Sequence, residues 1–364
     1  MEDESRQPNV IIDNGSGYIK AGLSGEEEPK VFFPNCVGDG ALIGEEALEE
    51  KFGKVIYPIE HGIIKDFDIM EKIWDRVFTK ELNVAPSEHN VLLTEALLNQ
   101  PKNREMMAQI MFESFYVSGL YIALQPQLSI YAAGKFNGMV VELGEDISQF
   151  VPIVDCFASK LNYNYLDLGG RDLSDYLIRL IEKTGTLFSS RYRKKLAYQL
   201  KEKCCYVALD FQNELNLIEP FDYELPDNTH IVLKEQRICC PEALFRPSMI
   251  GKEADSISQI CLNSINKYKK ESERIDFYNC IILSGGCSMF NGLPERLTKE
   301  IKALAPETMK EEVKVIASPE RNFYAWRGGS ILSSISTFDK NWITKTEYEE
   351  SGSYIINSKL ASII

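Results

Sequence analysis

Two short segments of the chain each place a carboxylate at the end of an apolar run and follow it with a turn of small residues. The first reads IIDNGSGYIKAG over 11–22, with Asp13 before the turn and Lys20 after it. The second reads VVELGEDISQFVPIV over 140–154, with Glu142 before its turn. Small residues let a backbone approach a phosphate closely, and successive N–H groups in a tight turn form an anion-binding concavity. The two turns together predict a clamp that holds a polyphosphate from both sides.

The residues around these turns suggest the rest of a nucleotide site. Lys20 would add a positive charge near the β-phosphate, and Asp13 with Glu142 would hold a hydrated Mg²⁺, an ion that keeps several waters and needs few protein carboxylates. The segment Ser284-Gly285-Gly286, with Met289 and Phe290, would contact the nucleoside. The sequence contains no G-x-x-x-x-G-K-[ST] and no strand–G-x-G-x-x-G–helix, which excludes a P-loop and argues against a Rossmann site. From these residues alone, purely structural turns remain an alternative.

The elements that must position these residues can be read from the same segments. Each turn joins two apolar strands, so each unit is a hairpin. A third unit has a strand that ends at Leu283, a Gly-Gly turn and a helix from about Leu293. Helical segments are predicted over 69–82, 101–118, 190–206 and 252–269. Strands interleaved with helices, and two matching hairpins, predict an α/β protein with two similar halves that arose by internal duplication and face a shared cleft.

Composition narrows the class of protein further. The chain has 364 residues, 44% hydrophobic and 26% charged, and a net charge of −14, so we expect two or three folded domains and no broad footprint for nucleic acid or anionic membranes. No run approaches the roughly 18 apolar residues that span a bilayer. The nine cysteines form no C-x-x-C pair, and the three histidines form no H-E-x-x-H motif. We therefore expect a soluble protein of a reducing compartment without a metal cage, in which RYRKK at 191–195 is a solvated helix face.

The chain resembles actin and the actin-related proteins over nearly its whole length. The matching segments are IIDNGSGYIKAG (11–22), YPIEHGII (57–64), VLLTEALLN (91–99), LDLGGRDLSDYL (166–177), KEKCCYVALDF (201–211), CPEALFRPS (240–248), ILSGGCSM (282–289) and WRGGSILSSISTF (326–338). Sugar kinases and chaperone ATPases share only the phosphate turns. The resemblance implies an actin-like α/β fold whose two halves, each split into a larger and a smaller subdomain, flank a cleft for ATP or ADP with Mg²⁺ or Ca²⁺. It places the first half at 1–130 with 325–364, including a short loop at about 35–56, and the second half at 131–324.

The resemblance also assigns site residues by position. The implied nucleotide-binding residues are Asp13, Gly15, Ser16, Gly17, Lys20, Gly144, Glu145, Ser148, Gly170, Lys201, Glu202, Gly285, Gly286, Met289 and Phe290. Asp13 and Glu142 would hold the cation through water. Gln125 matches the glutamine that helps position the attacking water, and Gln149 stands where actin has a histidine implicated in water activation.

Departures from the actin pattern bear on hydrolysis. Glu142 and Glu145 are one methylene longer than the matching aspartates, and Leu143 replaces a serine near the γ-phosphate. A glutamine at 149 orients water but takes no proton near neutral pH, and loss of such assistance slows a reaction roughly 10²–10⁴-fold. Near the base, Phe290, Asn322 and Tyr198 replace a tyrosine, a lysine and an arginine, in that order. We expect nucleotide binding, with altered base preference, and slow or absent hydrolysis.

Other departures bear on assembly. The loop at about 35–56 lacks the apolar tip that actin inserts into a neighbouring filament subunit, and Lys252 replaces an apolar residue in the plug segment. A lysine at an apolar contact is expensive to desolvate unless it is paired. The groove that receives amphipathic helices in actin is matched, by contrast, at Tyr131, Gly134, Ile331, Leu332 and Ile335.

The leading hypothesis is therefore an actin-related, nucleotide-bound structural subunit of a larger cytoplasmic, cytoskeletal assembly, with an axonemal or nuclear complex as alternative locations. Its expected partners are other actin-family or complex subunits and amphipathic helices, without direct nucleic acid contact, membrane insertion or a conventional homo-filament. The alternative is a divergent conventional actin that polymerises and hydrolyses ATP. A sugar kinase or other phosphotransferase is a third reading, for which no substrate-site motif is visible.

Overall fold

A computed structural model of the chain describes residues 7–39, 42–49, 54–158, 162–185, 193–225, 228 and 230–361. Its strands are β1 (Val10–Asn14), β2 (Tyr18–Leu23), β3 (Val31–Pro34), β4 (Ile59–Glu60), β5 (Ile63–Ile64), β6 (Asn90–Glu95), β7 (Gly119–Leu124), β8 (Gly138–Leu143), β9 (Ser148–Val154), β10 (Phe157–Ala158), β11 (Asn164–Leu166), β12 (Phe221–Glu224), β13 (His230–Leu233), β14 (Ile281–Ser284), β15 (Val315–Ile316) and β16 (Ile343–Thr344). Its α-helices are α1 (Glu45–Glu49), α2 (Phe67–Arg76), α3 (Pro101–Gln109), α4 (Gln125–Ala132), α5 (Gly170–Glu182), α6 (Arg193–Cys204), α7 (Phe211–Leu217), α8 (Gln236–Glu242), α9 (Ile257–Asn266), α10 (Glu271–Asn279), α11 (Leu293–Leu304), α12 (Tyr324–Ser333), α13 (Lys345–Ser351) and α14 (Ile355–Ala361).

Two mixed sheets repeat one plan. The first has the order β16-β7-β6-β1-β2-β3, and the second has the order β10-β9-β8-β14-β15, with β11 also paired to β9. In the first sheet, the central strand β1 forms an antiparallel hairpin with β2 and pairs in parallel with β6. In the second sheet, β8 forms an antiparallel hairpin with β9 and pairs in parallel with β14. The two predicted hairpins are thus equivalent elements of two similar sheets.

Each sheet has its own hydrophobic core. We call the elements around the first sheet, whose core residues fall between Val10 and Leu128 and between Trp326 and Ile356, the first half. The second half surrounds the second sheet, with core residues between Met139 and Val313. The central strands are buried along their length because both faces of each sheet are covered, and they are apolar up to the polar site residues near their carboxyl ends. The predicted division at 130/131 and 324/325 stays a prediction.

The helices nearest these predicted boundaries, α4 and α12, pack closely against each other. Their crossing uses two consecutive glycines of α12. A Cβ atom on Gly328 would overlap the carbonyl oxygen of Leu128 in α4, and one on Gly329 would lie 2.9 Å from a side-chain carbon of Ile11. The two helices therefore approach at backbone contact distance beneath the central strand of the first sheet.

The predicted helical segments appear with altered bounds. The segments predicted over 69–82 and 101–118 are α2 and α3, each continued by a π-helical turn, at Val77–Leu82 and Ile110–Ser114. The segment predicted over 252–269 begins only at Ile257, because the Ser256 side chain caps α9 by accepting a hydrogen bond from the Gln259 amide. The segment predicted from 190 is α6, which begins at Arg193, and residues 190–192 lie outside the described ranges.

The short loop predicted at about 35–56 is described in three pieces, 35–39, 42–49 and 54–56. Helix α1 lies within it, and Val37 forms isolated β-bridges with Ile43 and Ile56. None of the helices within the described ranges combines the length and the apolar composition needed to cross a membrane.

Candidate functional site

A cavity of about 530 Å³ lies between the two halves, walled by the turns of both hairpins. Most of the predicted site residues line it, namely Asp13, Gly15, Ser16, Gly17, Lys20, Gln125, Glu142, Gly144, Glu145, Gln149, Lys201, Glu202, Gly285, Gly286, Met289 and Phe290. These residues come from segments up to 277 positions apart in the chain, from Asp13 to Phe290, and the facing of the two halves brings them together.

The Asp13 carboxylate is held by three side-chain hydrogen bonds. It lies opposite Lys20 in the β1–β2 register, and the Lys20 Nζ donates to its Oδ2 at 2.9 Å. Its Oδ1 accepts from Thr94 Oγ1 at 2.7 Å and from Gln125 Nε2 at 2.8 Å. Burial raises the pKa of Asp13, but the charge of Lys20 and the three hydrogen bonds outweigh burial and leave the pKa below its usual range. Asp13 is therefore ionised at neutral pH.

Glu142 has the equivalent place in the second half but lacks such support. It is the last residue but one of the matching strand and lies opposite Gln149 in the β8–β9 register, as Asp13 lies opposite Lys20. Its Oε2 is buried and has no hydrogen-bond partner among the described residues. Burial and then the charge of Asp13 raise the pKa of Glu142 to about 8. A divalent cation held through water between the two carboxylates would satisfy this oxygen, so the residues present fit such an ion.

The two predicted water-positioning glutamines are both held by hydrogen bonds. Gln149 is 3% exposed, and its Oε1 accepts from the Leu97 amide of the first half at 2.9 Å. Because the Leu97 N–H can only donate, the Gln149 oxygen must face it, and the NH₂ end is left for other contacts. Gln125 is the first residue of α4 and donates to Asp13.

The middle of the cavity is formed around Glu145. Its Oε1 accepts a hydrogen bond from the Tyr198 hydroxyl, and its Oε2 lies 3.8 Å from the Lys201 Nζ. The Lys201 Nζ also donates to the Gly170 carbonyl oxygen at 2.8 Å. The Glu145 side chain reaches across the cleft toward Gly17, where an added Cβ would lie 2.9 Å from its Cγ. A phosphate chain between the two turns would pass this point.

The predicted nucleoside end lies beyond Lys201. The Gly-Gly turn at 285–286 lies at this end of the cavity. Gly285 has a φ of 86°, and a side chain there would collide with the Leu143 carbonyl oxygen, so the position requires glycine. Part of the cavity wall is aromatic: the Tyr18 and Phe32 rings stack at 4.5 Å, and Phe32 also meets Phe323 edge-on at 5.8 Å. Tyr18 and Phe32 both line the cavity, and the amino-acid sequence did not lead us to either.

Two predicted nucleotide-binding residues do not line the cavity. Ser148 is fully buried and donates its hydroxyl hydrogen to the Leu168 carbonyl at 2.7 Å, so it secures the strand beneath the turn. Gly170 lies behind Glu145, and its amide donates to the Gly144 carbonyl oxygen at 3.0 Å. Both support the second turn from outside the cavity.

The predicted partner groove lies away from the cavity, on α4 and α12 and the residues that follow each helix. Its members are Tyr131, Gly134, Ile331, Leu332 and Ile335. Tyr131 and Leu332 are half-buried against the first core, whereas Ile331 is 39% and Ile335 42% exposed.

Sequence reasoning missed three residues that organise the site. Thr94 supports Asp13 and donates from a strand 81 positions away. Asp146, inside the second turn, is buried and lines the cavity, and Arg171 lies 3.2 Å from its carboxylate. These residues lie in the segments 91–99, 140–154 and 166–177 described in the sequence analysis. The residue that each one contacts is distant in sequence, so local spacing does not reveal the contact.

Fold and cavity together define a class: an α/β protein whose two related halves face each other across a cleft walled by small-residue turns. The family model described as Actin matches residues 4–361, and the chain belongs to the actin family. This match confirms the predicted family and the predicted actin-like α/β fold. Proteins of this fold generally bind a nucleotide together with a divalent metal.

Proposed function

We propose that this actin-like protein is a nucleotide-bound structural subunit of a larger assembly in which ATP hydrolysis is slow or absent. The orientation of Gln149 carries the proposal. An attacking water must give up a proton, but the Gln149 oxygen is engaged by the Leu97 amide and the NH₂ group is only a donor. Gln125 likewise presents its NH₂ group to Asp13. Neither glutamine side chain takes up a proton near neutral pH.

In this role the nucleotide fixes the relation of the two halves. The turns at 14–17 and 144–147 would hold the phosphates, and Asp13 with Glu142 would hold a divalent cation that neutralises phosphate charge. Lys201, Met289 and Phe290 would contact the nucleoside. The ligand would add to hydrogen bonds that already join the halves, such as the one from Leu97 to Gln149.

The proposal extends to assembly with other subunits in place of a conventional homo-filament. It is supported by the lack of an apolar tip in the loop at about 35–56 and by the charged group that Lys252 brings to the plug segment, where actin has an apolar residue. The Lys252 Nζ lies 3.2 Å from Asp172 Oδ1 and 3.5 Å from Asp167 Oδ2, so this lysine is held on its own protomer by two carboxylates. Amphipathic helices of partner subunits would occupy the groove at Ile331 and Ile335. We place the assembly in the cytoplasmic cytoskeleton, with axonemal and nuclear complexes as alternatives, and without direct nucleic acid contact or membrane insertion.

The test combines sedimentation and phosphate release in one sample of purified protein with ATP, Mg²⁺ and salt. We expect protein that retains nucleotide, stays in the supernatant and releases little phosphate. Gln149→His introduces a proton acceptor and should raise phosphate release, whereas Gln149→Ala should not. Gln109→His, on the exposed side of α3, is the matched control and should leave phosphate release unchanged. Rapid release by the wild type would contradict the proposal.

A polymerising ATPase is the second candidate, and one observation favours it. The buried Oε2 of Glu142 is an acceptor without a partner among the described residues, in the same cavity as the glutamines. If Glu142 takes the proton from water, phosphate release should accompany pelleting. Gln125→Ala and Glu142→Gln would then each abolish both.

A further inference from the structure

Asp146 is a buried carboxylate in the wall of the cavity that none of the roles above uses. It is 7% exposed and belongs to the turn between β8 and β9. Its Oδ2 accepts from the His61 backbone amide at 3.2 Å, and the carboxylate also accepts from the Ser16 hydroxyl. Its Oδ1 lies 3.2 Å from the Arg171 Nη2. Ser16 and His61 come from the first half, so this carboxylate joins the two halves across the cleft.

The position of Asp146 along the cavity can be read from its neighbours. The nucleoside end is marked by Met289 and Phe290, and Glu145 with Gly17 marks the middle. The Glu145 carboxylate lies near Lys201 and Cys287, next to the nucleoside end, whereas Asp146 contacts Ser16 and His61 of the first half, so we place Asp146 farther along the cavity. A polyphosphate that runs from the nucleoside end therefore reaches Asp146 with its last phosphate.

The groups around Asp146 are those that a terminal phosphate would use. A hydroxyl, a backbone amide and a guanidinium form a donor set suited to a phosphate anion. Asp146 already engages all three with a negative charge of its own, and like charges close together in a partly buried site repel strongly. The Arg171 guanidinium also lies over the Tyr57 ring at 4.6 Å, and its ion pair with Asp146 would have to be given up before it could pair with a ligand phosphate.

We propose that Asp146 makes this cleft select a nucleoside diphosphate over the corresponding triphosphate, because its carboxylate takes the place and the donors of the terminal phosphate. The inference rests on the proposed nucleotide-binding function and adds the phosphorylation state of the ligand. Such a subunit holds ADP from the start and needs no hydrolysis to reach that state.

The test compares ADP with a non-hydrolysable ATP analogue, both with Mg²⁺, by titration calorimetry. The wild type should bind ADP at least tenfold more tightly, which corresponds to about 1.4 kcal/mol. Asp146→Asn keeps the size and an oxygen that can accept from the His61 amide, but it removes the charge that pairs with Arg171 and so releases the guanidinium. This variant should bind the analogue within about threefold of ADP, with its ADP affinity close to that of the wild type.

Asp155→Asn, an exposed carboxylate after the same hairpin, is the matched control and should keep the wild-type ratio. Equal or tighter binding of the triphosphate by the wild type would overturn the inference while leaving the proposed function in place. An equal loss of both affinities in Asp146→Asn would also overturn it, since Asp146 would then only support the fold. Failure of the wild type to bind either ligand would reject the proposed function, and the inference with it.

Discussion

Replacing Lys20 with methionine would remove the positive partner of a buried carboxylate. The Lys20 Nζ lies 2.9 Å from Asp13 Oδ2, and the two side chains are 15% and 3% exposed. Methionine keeps an unbranched apolar stem but carries no charge. The Asp13 carboxylate would then retain only the hydrogen bonds from Thr94 and Gln125 to its other oxygen.

Breaking a buried ion pair by removing one partner destabilises a protein by about 3–5 kcal/mol. Two neutral hydrogen bonds to Asp13 remain in the variant. We therefore expect Lys20→Met to lower the free energy of unfolding by about 3 kcal/mol at pH 7, measured without nucleotide or divalent cation. In the wild type the pKa of Asp13 lies below its ordinary 3.8, so its contribution to stability is present above that pH and is lost as the pH falls. Without Lys20 the effect of burial prevails and raises the pKa. The destabilisation should therefore shrink as the pH is lowered toward 5 and the variant's carboxyl takes up a proton.

Urea unfolding followed by tryptophan fluorescence measures the destabilisation in the first half, which contains Lys20 and Asp13. The three tryptophans of the chain, Trp74, Trp326 and Trp342, all lie in the core of the first half. The Trp74 indole donates to Asn14 Oδ1 at 3.0 Å, next to Asp13. A chelator in the sample keeps the protein free of divalent ions. Circular dichroism, measured in parallel, reports on the unfolding of both halves together.

Two further variants sharpen the result. Lys65→Met removes an exposed lysine and should change the free energy of unfolding by less than about 0.5 kcal/mol. The double variant Asp13→Asn with Lys20→Met leaves neither charge buried and should recover at least half of the loss. The reasoning is refuted if Lys20→Met costs under about 1 kcal/mol at pH 7, if the cost is the same at pH 5, or if Asp13→Asn gives no rescue.

Three other perturbations test separate parts of the site. Glu142→Gln should weaken the Mg²⁺ affinity of the nucleotide-loaded protein at least tenfold (about 1.4 kcal/mol), because glutamine, unlike Glu142, cannot lose a proton and face the cation as an anion; an unchanged Mg²⁺ titration of nucleotide binding would contradict this. Gly328→Ala should destabilise the protein by about 1–3 kcal/mol in urea, since the new methyl group meets the Leu128 carbonyl oxygen where two helices cross; an unshifted midpoint would speak against that close contact. Phe32→Ala should weaken ADP binding about fivefold and leave pyrophosphate binding unaltered in calorimetry, because the exposed ring lines the cavity and would stack on a base but not on a phosphate; equal losses for both ligands would indicate a general distortion.

Local sequence determined the hairpins and much of the phosphate clamp. An apolar run, a carboxylate, a turn of small residues and a second apolar run specify two strands and the connection between them. Once the β1–β2 register is set, Asp13 must lie opposite Lys20, and the same holds for Glu142 and Gln149. The repetition of this pattern also indicated the two related halves, because an internal duplication leaves its period in the sequence.

Tertiary structure alone decided how each of these side chains is used. Gln149 finds its partner in Leu97, Asp13 finds one in Thr94, and Asp146 bridges to His61, across separations of 52, 81 and 85 residues. Ser148 has the residue type and spacing of a phosphate ligand, yet its hydroxyl hydrogen goes to a buried carbonyl group. A hydrogen bond is set by distances of about 3 Å and by direction, and these depend on how the two halves pack. Residue type and spacing therefore predicted which atoms could meet a nucleotide, and the packing of the halves decided which of them are free to do so.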